Sequence, residues 1–135
     1  MSETKPKLIS SSIGRRKSAV ASVRLHTGTG EITVNGKKAS EYFPGNFAKT
    51  RLSLPFSLLP QPVKYSVSVK THGGGKAGQL EAVVLGISKA LSLIKKDNQI
   101  IMHTAKLLTR DPRERQRRMV GTGGKSRRKK QSPKR

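Results

Sequence analysis

The chain has 135 residues, and its 29 Lys and Arg stand against 7 Asp and Glu, a net charge of +22. It has no cysteine, which excludes disulfides and zinc–thiolate sites, and its aromatics are limited to two Tyr and three Phe. No apolar run approaches the roughly 20 residues of a membrane-spanning helix, so the expectation is a soluble, intracellular chain whose partner is a polyanion rather than a membrane.

In chain order, residues 1–12 are polar and turn-rich. They read as a loose arm without the apolar centre of a signal peptide. Apolar and polar residues alternate from Ser18 to Leu25, with Ala19, Ala21, Val23 and Leu25 on one side, which predicts a strand. Thr27–Gly30 reads as a turn and Glu31–Val34 as a short strand. Asn35-Gly36 is a strong hairpin-turn pair. A helical turn is expected over Ala39–Phe43, stopped by Pro44-Gly45, and a second short helix over Asn46–Ser53. Leu54–Pro62, interrupted by proline, reads as a connector. Val63, Tyr65, Val67 and Val69 alternate with Lys64, Ser66, Ser68 and Lys70, the clearest strand signal in the chain. Gly73-Gly74-Gly75 breaks it. Leu80, Val83, Val84, Ile87, Leu91 and Ile94 then share one helical face over 78–96. Asp97 is placed to cap a shorter helix reaching about Leu108, and Asp111-Pro112 marks the end of the folded part. The expected organisation is an arm at 1–12, one domain at 13–109 and a basic tail at 110–135.

That tail carries twelve Lys and Arg against two acids. Such a segment cannot bury enough apolar surface to offset its ordering entropy. It is expected to order only against something strongly negative.

Several motifs bear on chemistry. Gly73, Gly75 and Gly78 satisfy a dinucleotide-type glycine pattern, and Asp97 follows at a suitable distance. The helix over 78–96 leaves no room for the second parallel strand that such a site needs. Gln79-Leu80 stands where a phosphate-binding loop would have Lys-Ser or Lys-Thr. No small-molecule substrate or cofactor is expected. The glycines serve either as a sharp strand-to-helix turn or as backbone N–H donors that, with Lys76, meet a nucleic-acid phosphate. Arg15, Arg16 and Lys17 form a second basic cluster, read as phosphate contacts, and Lys37-Lys38 a weaker one. His26, His72 and His103 are far apart, and the few carboxylates form no pair suited to acid–base work. An enzyme is not expected. Asp111 and Glu114 sit among arginines, where ion pairing is the natural role.

The stretches Gly14–Ala21, Gly28–Gly36 and Glu41-Tyr42-Phe43 occur in this order. The glycine loop through Gln79, Leu108–Arg113 and Lys134-Arg135 follow them. Together they resemble the small-subunit ribosomal protein S-nine family, of bacterial or organellar type. The resemblance implies an α+β fold with a mainly four-stranded sheet packed by helices, like the second domain of ribosomal protein S-five, and a long extended basic tail. It also implies a structural role in the head of the small ribosomal subunit, with ribosomal RNA and neighbouring head proteins as partners. The candidate RNA contacts are Arg15, Arg16, Lys17, Gly73, Gly74, Gly75 and Lys76, then Arg110, Arg113, Arg115, Arg117 and Arg118. Lys125, Arg127, Arg128, Lys129 and Lys130 continue them along the tail. By the same resemblance Lys134 and Arg135 reach the peptidyl-site transfer RNA. Ser132-Pro133 departs from the family, which has an aromatic and Ser there. Leu80–Leu85 is more apolar than in relatives and includes the acid Glu81. Gly121–Gly124 adds glycine to the tail's root. The alternative that charge alone permits is a free nucleic-acid-binding protein, an RNA chaperone or DNA-compacting factor.

Overall fold

Alternating apolar and polar residues build a sheet that buries one face and leaves the other without a covering helix among the described residues. The computed structural model describes residues 6–28, 30–60, 65–117 and 120. Its elements are β1 (Leu8–Arg16), β2 (Ala19–Thr27), β3 (Ile32–Val34), β4 (Lys37–Lys38), α1 (Ala39–Tyr42), α2 (Asn46–Ser57), β5 (Tyr65–His72), α3 (Lys76–Ser92) and α4 (Lys96–Thr104). The class is α+β, and the sheet is five-stranded and mixed, in the order β1-β2-β5-β3-β4. β2 runs antiparallel to both β1 and β5, while β3 is parallel to β5.

Ala19, Ala21, Val23 and Leu25 of β2 are fully buried, and Tyr65, Val67 and Val69 of β5 lie beside them. Leu80, Val83, Val84, Ile87 and Leu91 of α3 join them in a single core. Each fully buried side chain of this kind is worth about 1.5–3 kcal/mol relative to exposure. α4 closes the far end of α3 through fully buried Met102 and through Asn98, whose Nδ2 donates to the Leu91 carbonyl at 3.2 Å.

The edge strand β1 corrects the expectation of a loose arm through residue 12. Its inward positions are Ser10, Ser12 and Gly14 rather than large apolar residues, which is why no hydrophobic alternation announced it. Small residues are required because α3 lies directly against this strand. A Cβ on Gly14 would run into the Ala82 carbonyl oxygen and come within 2.5 Å of the Gly86 nitrogen. The sheet therefore exceeds the mainly four strands expected, once the short β4 is included.

Other boundaries move for local reasons. α2 runs through Pro55 to Ser57. A proline in the last turn removes one backbone bond, and burial of its ring in the core offsets that loss. α4 begins after Lys95, so Asp97 lies in its first turn and makes no side-chain cap. There its charge still suits the helix dipole. The Asn35-Gly36 turn is as expected, with φ +51 and +81, the pair of positive values a tight hairpin needs.

Candidate nucleic-acid interface

Two basic clusters separated by more than fifty residues in sequence meet at one end of the sheet. Pairing of Val20 with His72 sets the β1–β2 turn beside the loop that leaves β5. Gly73 and Gly74 have φ +76 and +60. A Cβ on Gly73 would stand 2.5 Å from the Ser18 carbonyl oxygen, and one on Gly74 would stand 3.3 Å from the Ala19 Cβ. The glycines are thus needed both for the left-handed backbone and for the close approach of the Lys17-Ser18 turn. Arg15, Lys17, Gly73, Gly74, Gly75 and Lys76 are all exposed at this junction.

The junction is held by polar side chains that charge counting overlooked. Buried Gln79 donates from Nε2 to the Gly73 carbonyl at 3.0 Å. Its Oε1 accepts from the Tyr42 hydroxyl at 2.7 Å. Asn35 acts as a short piece of strand: its Oδ1 accepts from the Thr71 N–H at 2.9 Å and its Nδ2 donates to the Thr71 carbonyl at 3.0 Å. Lys76 Nζ lies 3.3 Å above the Tyr42 ring centroid and within 3.3 Å of the Tyr42 carbonyl oxygen. That cation–π contact restrains the ammonium at the start of α3. Gly75 precedes the helix with no side-chain cap and with open space around it. The first-turn N–H groups are therefore available to an anion.

A cleft of about 330 Å³ lies where the tail leaves the domain, and Arg15, Arg16, Arg51, Lys106 and Arg113 line it together with Glu81 and Asp111. Arg16 Nη1 is 3.0 Å from Asp111 Oδ1 and within 3.5 Å of the Asp111 and Arg113 carbonyl oxygens. Arg113 grips the same carboxylate, Nε to Oδ1 at 2.9 Å and Nη2 to Oδ2 at 2.7 Å. The Arg113 side chain, then its backbone N–H, holds the Asp111 carboxyl well below the usual carboxylate range. Arg51 pairs with Glu81 at 2.9 Å. Ion pairing of Asp111 was legible in the sequence. That Arg16 is its partner was not, because the two are brought together only by the fold. Arg51 and Lys106 were missed altogether, since neither sits in a run of adjacent cations.

Arg110, just ahead of this clasp, and Arg115 and Arg117 beyond it are exposed. Arg118, Lys125, Arg127, Arg128, Lys129, Lys130, Lys134 and Arg135 lie outside the described residues, as do the expected tail conformation and the Ser132-Pro133 departure. Val84 and Leu85, where relatives were expected to be more polar, are buried against the core and the tail's root. Among the described residues no group of three His, Asp or Glu could hold a metal ion, and no helix is long and apolar enough to cross a membrane.

The family model described as ribosomal protein S9/S16 matches residues 14–135, which includes every cluster above. The chain belongs to this family. It is 45% identical over 111 residues to a small ribosomal subunit protein uS9 of Maridesulfovibrio salexigens, covering 82% of this chain and 85% of that one. Over 121 residues it is 40% identical to the uS9 protein of Gloeothece citriformis, 88% of each chain being covered. A uS9m protein of Debaryomyces hansenii is 39% identical over 110 residues, 82% of this chain and 34% of its own length. In this S9 family member, Gly14–Ala21 and the glycine loop through Gln79, two of the stretches that carry the resemblance, share one surface, and Tyr42 of a third packs against Lys76 there.

Proposed function

We propose that this chain is a structural protein of the small ribosomal subunit, in a bacterial cytoplasm or an organelle. The family match through residue 135, over a domain whose basic loops converge, carries this reading. The exposed Arg15, Lys17 and Lys76 and the open N-terminus of α3 meet backbone phosphates of ribosomal RNA, which positions the domain without reading bases. Arg16 does not act as a free arm. It fastens the tail's root through Asp111, so that Arg110, Arg115 and Arg117 leave the domain from a set point. The rest of the tail neutralises phosphates in places the globule cannot enter, and Lys134 and Arg135 reach the peptidyl-site transfer RNA. The fifteen residues from Gly121 onward could span on the order of 50 Å if extended. Neighbouring head proteins complete the set of partners.

Two experiments test this. Tagged chain should sediment with small subunits in high salt; a free pool that binds DNA regardless of sequence would favour the chaperone or compaction alternative instead. A photo-crosslinker at Arg135 in assembled ribosomes should capture transfer RNA bound at the peptidyl site. Capture of ribosomal RNA alone would refute the tail-tip role.

A further inference from the structure

Among the described residues, helices cover only one side of the sheet. α3 packs along the inner side of β1 and β2. On the other side, the outward residues of β1, β2 and β5 are set by the register. Arg24 lies opposite Ser68, Ser22 opposite Lys70, and Arg15 opposite Val20, which in turn faces His72. Arg15, Arg24, Ser68 and Lys70 are exposed. No outward strand residue is acidic; Glu31, ahead of β3, flanks the opposite margin of the sheet. Among the described residues, the side chains of Arg15, Arg24 and Lys70 make no ion pair and no hydrogen bond.

A sheet face bathed only in water would normally mix both signs of charge, because opposite charges across strands stabilise it and like charges do not. Arg24 and Lys70 are diagonal neighbours, about 7–8 Å apart at their Cα atoms. They repel each other and gain nothing from the protein itself. Hydroxyls fill most of the positions around them, Ser11, Ser22, Ser66 and Ser68 with Thr33 on β3, and half-exposed Ile13 stands opposite Ser22. Cations spaced among hydroxyl donors match phosphate oxygens and ribose hydroxyls. The face carries no Phe, Tyr or Trp on which a splayed base could stack, so it is not built to read single strands. The wide, shallow minor groove of an A-form helix presents the complementary surface of phosphates and 2′-hydroxyls.

We infer that the helix-free face of the sheet is a docking surface for the sugar–phosphate backbone of an RNA duplex, centred on Arg24 and Lys70. This rests on the ribosomal reading above and adds a contact surface that shares Arg15 with the loop junction and the tail's root and otherwise lies apart from them. The domain would then be held by RNA on two sides, which fits a net charge of +22 spread well beyond the tail.

Because the chain has no cysteine, Ser68→Cys offers a unique attachment point for an iron–EDTA chelate in the centre of this face. Ala77→Cys offers another at the exposed first turn of α3. Each labelled full-length chain would be assembled into small subunits and hydroxyl-radical cleavage of the RNA mapped. The inference expects Ser68→Cys to cut two backbone stretches facing each other across one minor groove. Cuts from Ala77→Cys with silence from Ser68→Cys would overturn it and leave the ribosomal reading standing. Scission of a neighbouring protein alone from Ser68→Cys would assign the face to a protein partner and overturn it equally. Silence from both positions in assembled subunits would overturn this inference together with the loop-junction contact, whereas failure of the unlabelled chain to enter small subunits would sink the ribosomal reading itself. Independently, the Arg24→Gln, Lys70→Gln double variant of the full chain should bind a model RNA duplex with a log–log salt slope shallower by about 2, one unit per lost phosphate contact. An unchanged slope counts against the inference.

Discussion

Replacing Gly14 by Ala tests the contact on which the whole interface rests, the approach of β1 to α3. The added methyl would collide with the Ala82 carbonyl oxygen and the Gly86 nitrogen, both backbone atoms of a buried helix. Neither can swing aside as a side chain could, and α3 is pinned on its other flank by α2 and α4. Overpacking of well-filled interiors costs about 1–3 kcal/mol, and a clash between two backbones belongs at the upper end. A loss of ~3 kcal/mol is a large part of the ~5–15 kcal/mol that holds a small domain together. At about 4–8 °C per kcal/mol for a domain of this size, Tm should fall by roughly 12–24 °C. Gly86→Ala gives a graded comparison. Its methyl would lie 2.6 Å from Val23 Cγ2, but Ala gains about 1 kcal/mol of helix propensity over Gly. The net loss should be smaller than for Gly14→Ala. Gly75→Ala, with open space around it, should shift stability by no more than about 0.5 kcal/mol. Thermal unfolding followed by far-UV circular dichroism would rank the three. If Gly14→Ala lay within about 1 kcal/mol of the parent, or Gly75→Ala were as damaging, the account of how β1 is seated would be wrong.

Three further outcomes are expected. Asp111 is held below the usual carboxylate range, so its contact with Arg113 and Arg16 is present above its unfolded pKa. It is lost only as pH falls through the lower folded value. Its carboxyl carbon should therefore stay in the ionised position in an NMR titration from pH 7 to about pH 3, where an ordinary Asp is mostly protonated, and a midpoint near the ordinary value would refute the clasp. Tyr42→Phe keeps the ring beneath Lys76 but removes the 2.7 Å bond to Gln79. It should cost about 1 kcal/mol in urea unfolding, and Tyr42→Leu should cost about 0.5–1 kcal/mol more through loss of the cation–π contact; equal values for both would show that Lys76 gains nothing from the ring. Deleting residues 121–135 removes seven cations and should flatten the salt slope for model RNA by roughly 5, whereas an unchanged slope would mean that the tail is not an electrostatic arm.

Legibility followed chemistry. β2 and β5 were readable because their alternation puts Ala, Val and Leu on one side and Ser, Arg and Lys on the other, and both are central strands. α3 was readable because burial across most of its surface demands apolar residues at helical spacing. β1 was not, because closeness to α3 selects Ser and Gly, residues that also mark loops. The Asn35-Gly36 turn was visible in its residue types, but the anchoring of Thr71 by the Asn35 side chain depends on β3 and β5 being neighbours.

The candidate site divides the same way. Charge is a property of composition, so the need for a polyanion, the two basic loop motifs and the family resemblance were all present in the order of residues. Which cations face outward together and which are occupied internally is a property of packing. Only the tertiary structure joins the Lys17-Ser18 turn to the glycine loop, commits Arg16 to Asp111, seats Lys76 on Tyr42 and lines up Arg24 with Lys70 on the sheet face that no described helix covers. Each of those pairings closes a long loop of chain, and periodicity within one segment carries no information about which distant segment will be its neighbour.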